Sequence, residues 1–117
     1  MEKIFKEEHQ VSYGDCDETG KIQLPHLIEH FMQVSNDQLT SGGAGIHDLL
    51  KQNLGWVVVE YHLDIDRLPE AGEKITVTTN GSGYNRFFEY RDFGIIDYTN
   101  EKIVDGKSPV SYTHLRA

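Results

Sequence analysis

Residues 13–24 read YGDCDETGKIQL and run straight into residues 25–39, PHLIEHFMQVSNDQL. The order is a strand end, a tight acidic turn holding Gly14 and Gly20, and a long amphipathic helix that opens at Pro25. Leu24, Leu27, Ile28, Phe31 and Leu39 recur at helical spacing, with Met32 and Ser35 beside the stripe. SGGAG at 41–45 predicts the end of the helix. This arrangement sets Asp17 just upstream of a helix N-terminus, whose unpaired N–H groups and partial positive charge can polarise a carbonyl. A carboxylate beside a polarised carbonyl is the minimum equipment for hydrolysing an activated acyl group. The alternative is structural: Asp15 and Asp17 shape the turn and help to cap the helix.

Outward from this stretch, residues 4–13 can form a first strand. Ile46, Leu49, Leu50 and Leu54 predict a short second helix stopped by Gly55. The period then changes to two. Val57, Val59, Tyr61, Leu63 and Ile65 alternate with Val58, Glu60, His62, Asp64 and Asp66, which predicts one long half-buried strand. A turn over 69–72 leads to a strand starting at Ile75, Val77 and Thr79, with a bend or bulge at NGSG, 80–83. Residues 86–96 predict another strand. Its apolar phase shifts between Tyr90 and Phe93, as a bulge near Asp92 or two covered faces would cause. DYTNEK at 97–102 is a hairpin turn, and the chain returns through 102–104. A short-linked meander after one long helix should wrap that helix and bury its stripe, an α+β arrangement.

The chain has 117 residues, enough for one domain with a modest core. Eleven basic residues against 19 acidic ones give a net charge of −8, which disfavours non-specific nucleic-acid binding. The lone Cys16 excludes an internal disulfide framework. MEKIFKEEHQ has no apolar run of the signal-peptide kind, and the apolar run at 56–59 is too short to span a bilayer, so the cytoplasm is the expected compartment.

His26-Leu27-Ile28-Glu29-His30 matches H-x-x-E-H, and spacing of four sets both imidazoles on one helix face, as a zinc site would. Both border the stripe the sheet should cover, however, and no third ligand follows, so they read as helix-flanking histidines. Cys16 lies between Asp15 and Asp17, which oppose thiolate formation. NGSG lacks the context of a phosphate loop. Trp56, Phe87 and Phe88 read as core.

Three segments together carry a family resemblance: YGDCDETGKIQLPHLIEHFMQ, then GWVVVEYHLDIDRLPEAGEKITVTT, then YNRFFEYRDFGI. In order and spacing they resemble the N-terminal hotdog domain of bacterial acyl-ACP thioesterases, roughly over residues 7–104. The resemblance implies a single hotdog fold, a curved antiparallel sheet wrapped around a central helix, here with its C-terminal strand or strands incomplete. It implies hydrolysis of the thioester between a fatty acyl chain and acyl carrier protein, by a chain of two fused hotdog domains. Family members carry an Asp-x-Asn-x-His word in the second domain. Aligned on it, this chain has Asp17, Thr19 and Lys21: the Asp matches and the other two do not, so the main catalytic group is expected in the second domain. YGDCD followed by Gly20 also resembles single-domain hydroxybenzoyl-CoA thioesterases, in which the residue at Asp17 is the catalytic carboxylate.

On this resemblance an apolar acyl tunnel is expected between the helix residues Leu27, Ile28, Phe31 and Met32 and the strand carrying Trp56 and Val58. Each buried methylene is worth roughly 0.8 kcal/mol, so tunnel depth would select chain length. No metal or organic cofactor is implied. Acyl carrier protein is the implied partner; it is acidic, and Arg86 and Arg91 are candidates for docking it, with the second domain the better one. Two further readings stay open, a homodimeric acyl-CoA thioesterase using Asp17 and a non-catalytic acyl-binding hotdog. Finally, VSYTHLRA at 110–117 resembles the in-frame translation of a transposase adaptor used in DNA library preparation. The expected division is therefore a domain over 1–108 and a non-native tail over 109–117, in a fragment of a longer gene.

Overall fold

The computed structural model describes residues 4–41, 51, 54–58, 60–84 and 89–114, with the backbone alone for 54–58, 82–84, 89 and 110–114. Strand β1 (Phe5–Gln10) lies antiparallel to β4 (Lys74–Tyr84), from Phe5 opposite Thr79 to Gln10 opposite Lys74. It ends short of the expected Tyr13, because residues Tyr13–Asp15 turn into a short 3-10 helix. The acidic turn follows, closed by the Asp17 N–H on Lys21 O (2.9 Å) and the Gly20 N–H on Asp17 O (3.0 Å). Gly20 has φ of 82°, a left-handed conformation that a side chain would strain.

Helix α1 (Leu24–Ser41) starts with Pro25 in its first turn, where a missing N–H costs nothing. Its buried face is Leu27, Phe31, Val34 and Ser35. Spacings of four, three and one trace a single helix stripe. Leu24 and Met32 are turned out to solvent, so the stripe is narrower than the sequence pattern implies. The short helix expected around 46–54 lies outside the described residues, apart from Lys51, which is helical, and Leu54, which begins a strand.

The sheet order is β1-β4-β5-β6-β2, all antiparallel, with β3 also paired to β6. Here β2 is Leu54–Val58, β3 is His62–Ile65, β5 is Glu89–Ile96 and β6 is Lys102–His114. The single long strand expected over 57–66 is thus two strands. Four steps from Val58 to His62 face three steps from Val110 to Lys107, so β2 and β3 are offset by one residue. Ser108 stabilises the break by donating its hydroxyl to Glu60 O (2.6 Å). The register of β4 shifts between Gly81 and Gly83, at the expected bulge. No shift occurs at Asp92, which pairs with Asn80 in register. Instead Arg91, Phe93 and Ile95 form one unbroken buried row. A polar Arg at an inward position is what made the apolar phase look broken.

Residues 109–114, for which a non-native tail is expected, form the end of β6 and pair with β2 and β5. Backbone pairing of this kind depends weakly on side-chain identity. Helix α1 packs on β1 and β4, and its Phe31 ring reaches Phe93 of β5 at 4.9 Å and Tyr61 at 6.4 Å. With Val11, Ile22, Leu27, Val34, Ile75, Val77, Ile95, Ile103 and Val104 these rings make one core between helix and sheet. This is the wrapped-helix arrangement that the resemblance implies.

Candidate functional site

Three regions carry the residues of interest: the acidic turn, a polar cleft beside it, and the interior between α1 and the sheet. In the turn, Asp17 Oδ1 accepts hydrogen bonds from Thr19 N (2.8 Å), Thr19 Oγ1 (2.6 Å) and Lys21 N (3.3 Å). These donors, the Thr19 hydroxyl foremost, hold the Asp17 carboxyl below the usual carboxylate range. The β5–β6 hairpin repeats the device. Asp97 Oδ1 accepts from Thr99 N (2.9 Å), Thr99 Oγ1 (2.6 Å) and Glu101 N (3.0 Å), and Asn100, with φ of 69°, takes the place of Gly20. DETGK and DYTNE are therefore one turn design used twice. Asp17 serves that turn, and Thr19, at the position of the family's Asn, is engaged by Asp17. Lys21, at the position of the His, reaches Glu70 at 3.6 Å.

The cleft has a volume of about 330 Å³ and is lined by His9, Gln10, Asp15, Glu29, His30 and Gln33. His9 Nδ1 and His30 Nδ1 lie 2.7 Å apart, close enough to share one proton. His9 Nε2 is 2.9 Å from Glu7 Oε1. Asp15 faces two imidazoles, His26 Nδ1 at 3.4 Å and His30 Nε2 at 3.8 Å. The sequence reading placed His26 and His30 together but missed His9 and the role of Asp15. The available signal was the alternation of β1, which sets Glu7 and His9 on its inward, half-buried side. Among the described residues, no group of three or more His, Cys, Asp or Glu is arranged to hold a metal ion. Burial pushes the Cys16 thiol up, and Asp15 and Asp17 add to it, so the thiol stays protonated at neutral pH.

Burial, and then the neighbouring His9, lower the pKa of His30 from its ordinary value of 6.5. The unfolded chain therefore takes up the proton first on acidification. The neutral His30 contributes stability that is complete above about pH 6.5 and is lost as pH falls below it. Thermal melting between pH 7.5 and 5.5 is expected to show a falling midpoint, and His30→Gln to flatten that slope. An equal slope in both proteins would remove His30 as its origin.

In the interior, Leu27 and Phe31 are fully buried, Ile28 is half-buried and Met32 is 44% exposed. Trp56 and Val58 lie on β2, and their side chains fall outside the described residues, as do Arg86, Phe87 and Phe88. Arg91, expected as a docking residue, is only 3% exposed. It is an inward residue of β5 that donates from Nη2 to Gln38 Oε1 of α1 and to Thr79 Oγ1 (3.4 Å). A side chain so enclosed presents no charge to a partner surface, and this corrects the expectation. Beyond the aromatic group of Phe31, Tyr61 and Phe93, the interior thus turns polar, with Ser35, Thr79, Arg91 and Ser108 all buried. Among the described residues no helix is long and apolar enough to cross a membrane.

A model of the acyl-ACP thioesterase N-terminal domain matches residues 2–111. Among solved structures, one described as an oleoyl thioesterase from Lactobacillus plantarum superposes with a TM-score of 0.91 at 32% identity, covering 96% of this chain and 44% of that one. An acyl-ACP thioesterase from Bacteroides thetaiotaomicron gives 0.88 at 25% identity, over 97% of this chain and 46% of that one. A DHNA-CoA thioesterase from Staphylococcus aureus gives 0.87 at 19% identity, over 95% and 74%, a likeness of fold alone. No curated protein sequence matches. The chain spans less than half the length of the first two structures. A helix wrapped by this sheet is the hotdog fold, and the chain belongs to the acyl-ACP thioesterase N-terminal domain family.

Proposed function

We propose that this chain is the acyl-binding half of an acyl-ACP thioesterase, a cytoplasmic hydrolase that releases free fatty acid from acyl carrier protein during fatty acid biosynthesis. The family match over residues 2–111 carries this reading. The acyl chain would enter between α1 and the sheet, along Leu27, Ile28 and Phe31, with Met32, Trp56 and Val58 nearer the rim. The water-activating carboxylate, Asn and His would come from a second hotdog domain, and a helix N-terminus would stabilise the oxyanion. The engagement of Asp17 and Thr19 by their own turn supports that division of labour. With Arg91 inside, docking of the acidic carrier falls to Arg86 or to the second domain.

A second reading rests on one observation: Asp17 is exposed and its carboxyl is held ionised. It makes the chain a homodimeric acyl-CoA thioesterase with Asp17 as catalytic carboxylate. Thiol release from long-chain acyl-ACP and acyl-CoA, with fatty-acid binding followed through the single Trp56, separates the readings. We expect the 117-residue chain to bind fatty acid and release thiol at background rate. The continuous reading frame, with its second hotdog, is expected to turn over acyl-ACP and to keep most of that activity in Asp17→Asn. Turnover by the short chain that vanishes in Asp17→Asn would overturn this in favour of the second reading. A complete protein that binds fatty acid but hydrolyses neither thioester would leave a non-catalytic acyl-binding hotdog.

A further inference from the structure

The polar half of the helix–sheet interior has no part in a purely aliphatic tunnel. Its placement follows from contacts at both ends. Phe31 of α1 meets Phe93 of β5, and Gln38, two turns further along α1, meets Arg91, two residues back along β5 on the same face. The helical turn between them, which includes Ser35, therefore overlies the strand between Phe93 and Arg91. Tyr61 closes the third side: its ring is 5.8 Å from Phe93, and its neighbour Glu60 is bonded to Ser108, the β6 partner of Arg91.

Among the described residues, two hydroxyls of this layer are buried without a hydrogen-bond partner, Ser35 Oγ and Tyr61 Oη. Each costs stability while it stays unmatched, since its lost contact with water is not replaced. Burial alone pushes the Tyr61 hydroxyl up to about 12, so it remains a neutral donor at any physiological pH. Ser35 is neutral as well, and both hydroxyls can donate or accept. Two neutral, buried hydroxyls in an interior that also holds the buried guanidinium of Arg91 are equipped to receive an oxygen atom carried on an otherwise apolar ligand.

Building on the acyl-binding reading above, we propose that the layer of Ser35, Tyr61 and Arg91 is a specificity subsite for an oxygen substituent, a hydroxyl or keto group, on the fatty acyl chain. The aliphatic part packs on Phe31 and Phe93, and the substituent takes the hydrogen bonds that Ser35 and Tyr61 lack. A site built to bond a substrate oxygen discriminates against the analogue without it, because its own polar groups are then left unmatched.

The test is a binding panel on the 117-residue chain: saturated medium- and long-chain fatty acids, and the same acids carrying one hydroxyl or keto group at successive carbons. Trp56 fluorescence reports affinity. The best oxygenated acid is expected to bind at least about fivefold tighter than the plain acid of equal length, one net hydrogen bond being worth about 1 kcal/mol. In Tyr61→Phe that ratio should fall towards one. Ser35→Ala is the second, independent variant, and thermal melting establishes that each has folded. A ratio of one in the parent chain, or a preference that survives in both folded variants, overturns the subsite while leaving the acyl-binding reading intact. Failure of every acid to bind overturns both.

Discussion

Phe31→Ala is expected to destabilise the fold by about 3–5 kcal/mol. The ring is fully buried and joins the helix to two separate segments at once, strand β5 through Phe93 and the residue just before β3 through Tyr61. Its removal leaves a hole that the aromatic pair opposite cannot fill without breaking the 5.8 Å packing between them. A domain of this size has roughly 5–15 kcal/mol in total, so the variant should sit close to the limit of folding at 25 °C. Urea titration followed by far-ultraviolet circular dichroism measures the loss. Met32→Ala is the control, because Met32 is 44% exposed on the same helix and should cost less than about 1 kcal/mol. Equal losses in the two variants would mean that α1 does not present the face described here. The same cavity would lie in the proposed acyl path, so fatty-acid affinity should change together with stability.

The long helix and the antiparallel meander are legible in the sequence because local spacing alone encodes them: Leu27 and Phe31 on one stripe, Ile75 and Val77 on one strand face. The features that were not legible depend on residues far apart in the chain. The break between β2 and β3 is stabilised by Ser108 reaching Glu60, 48 positions away. The alternation of β5 looked broken because Arg91 occupies an inward position, and what makes that position tolerable is Gln38 on the helix, 53 positions away. Likewise His9 and His30 meet across 21 residues, so neither alone marks the cleft. The acidic turn was legible as a turn, and its likeness to the hairpin at Asp97 was available as well, since both read Asp-x-Thr followed by a residue able to adopt positive φ. What spacing could not convey is that Asp17, singled out for chemistry, makes the same hydrogen bonds as an aspartate with a structural task.

Arg67→Met is expected to lower the melting midpoint at pH 7 by roughly 10 °C, although Arg67 is not itself part of the helix–sheet core. Arg67 opens the RLPEAGE word and forks onto Glu73, with Nη1 to Oε1 at 2.9 Å and Nη2 to Oε2 at 2.6 Å. The same Nη2 reaches Asp97 Oδ2 at 3.0 Å. Both carboxylates are nearly enclosed, so losing the guanidinium leaves two like charges facing each other. The segment they secure also backs the acidic turn: Pro69 O accepts from Ile22 N (2.9 Å), Gly20 O from Ala71 N (2.8 Å), and Glu73 O from Val11 N (3.0 Å). The effect should therefore spread to Asp15 and Asp17. The pH dependence separates this from simple loss of packing. Arg67 holds the Glu73 carboxyl below its ordinary value, and Thr99 first, then Glu101 and Arg67, hold Asp97 down to about 2. Carboxylates depressed in the folded state contribute stability above the ordinary carboxylate range and lose it as pH falls towards their folded values. The gap between parent and variant should thus be full at pH 7 and close progressively between about pH 4.5 and pH 2. Thr99 keeps part of the Asp97 depression in the variant, so most of that closing should come from Glu73. A gap that stays constant down to pH 2 would assign the effect to the aliphatic stem of Arg67 and not to its charge.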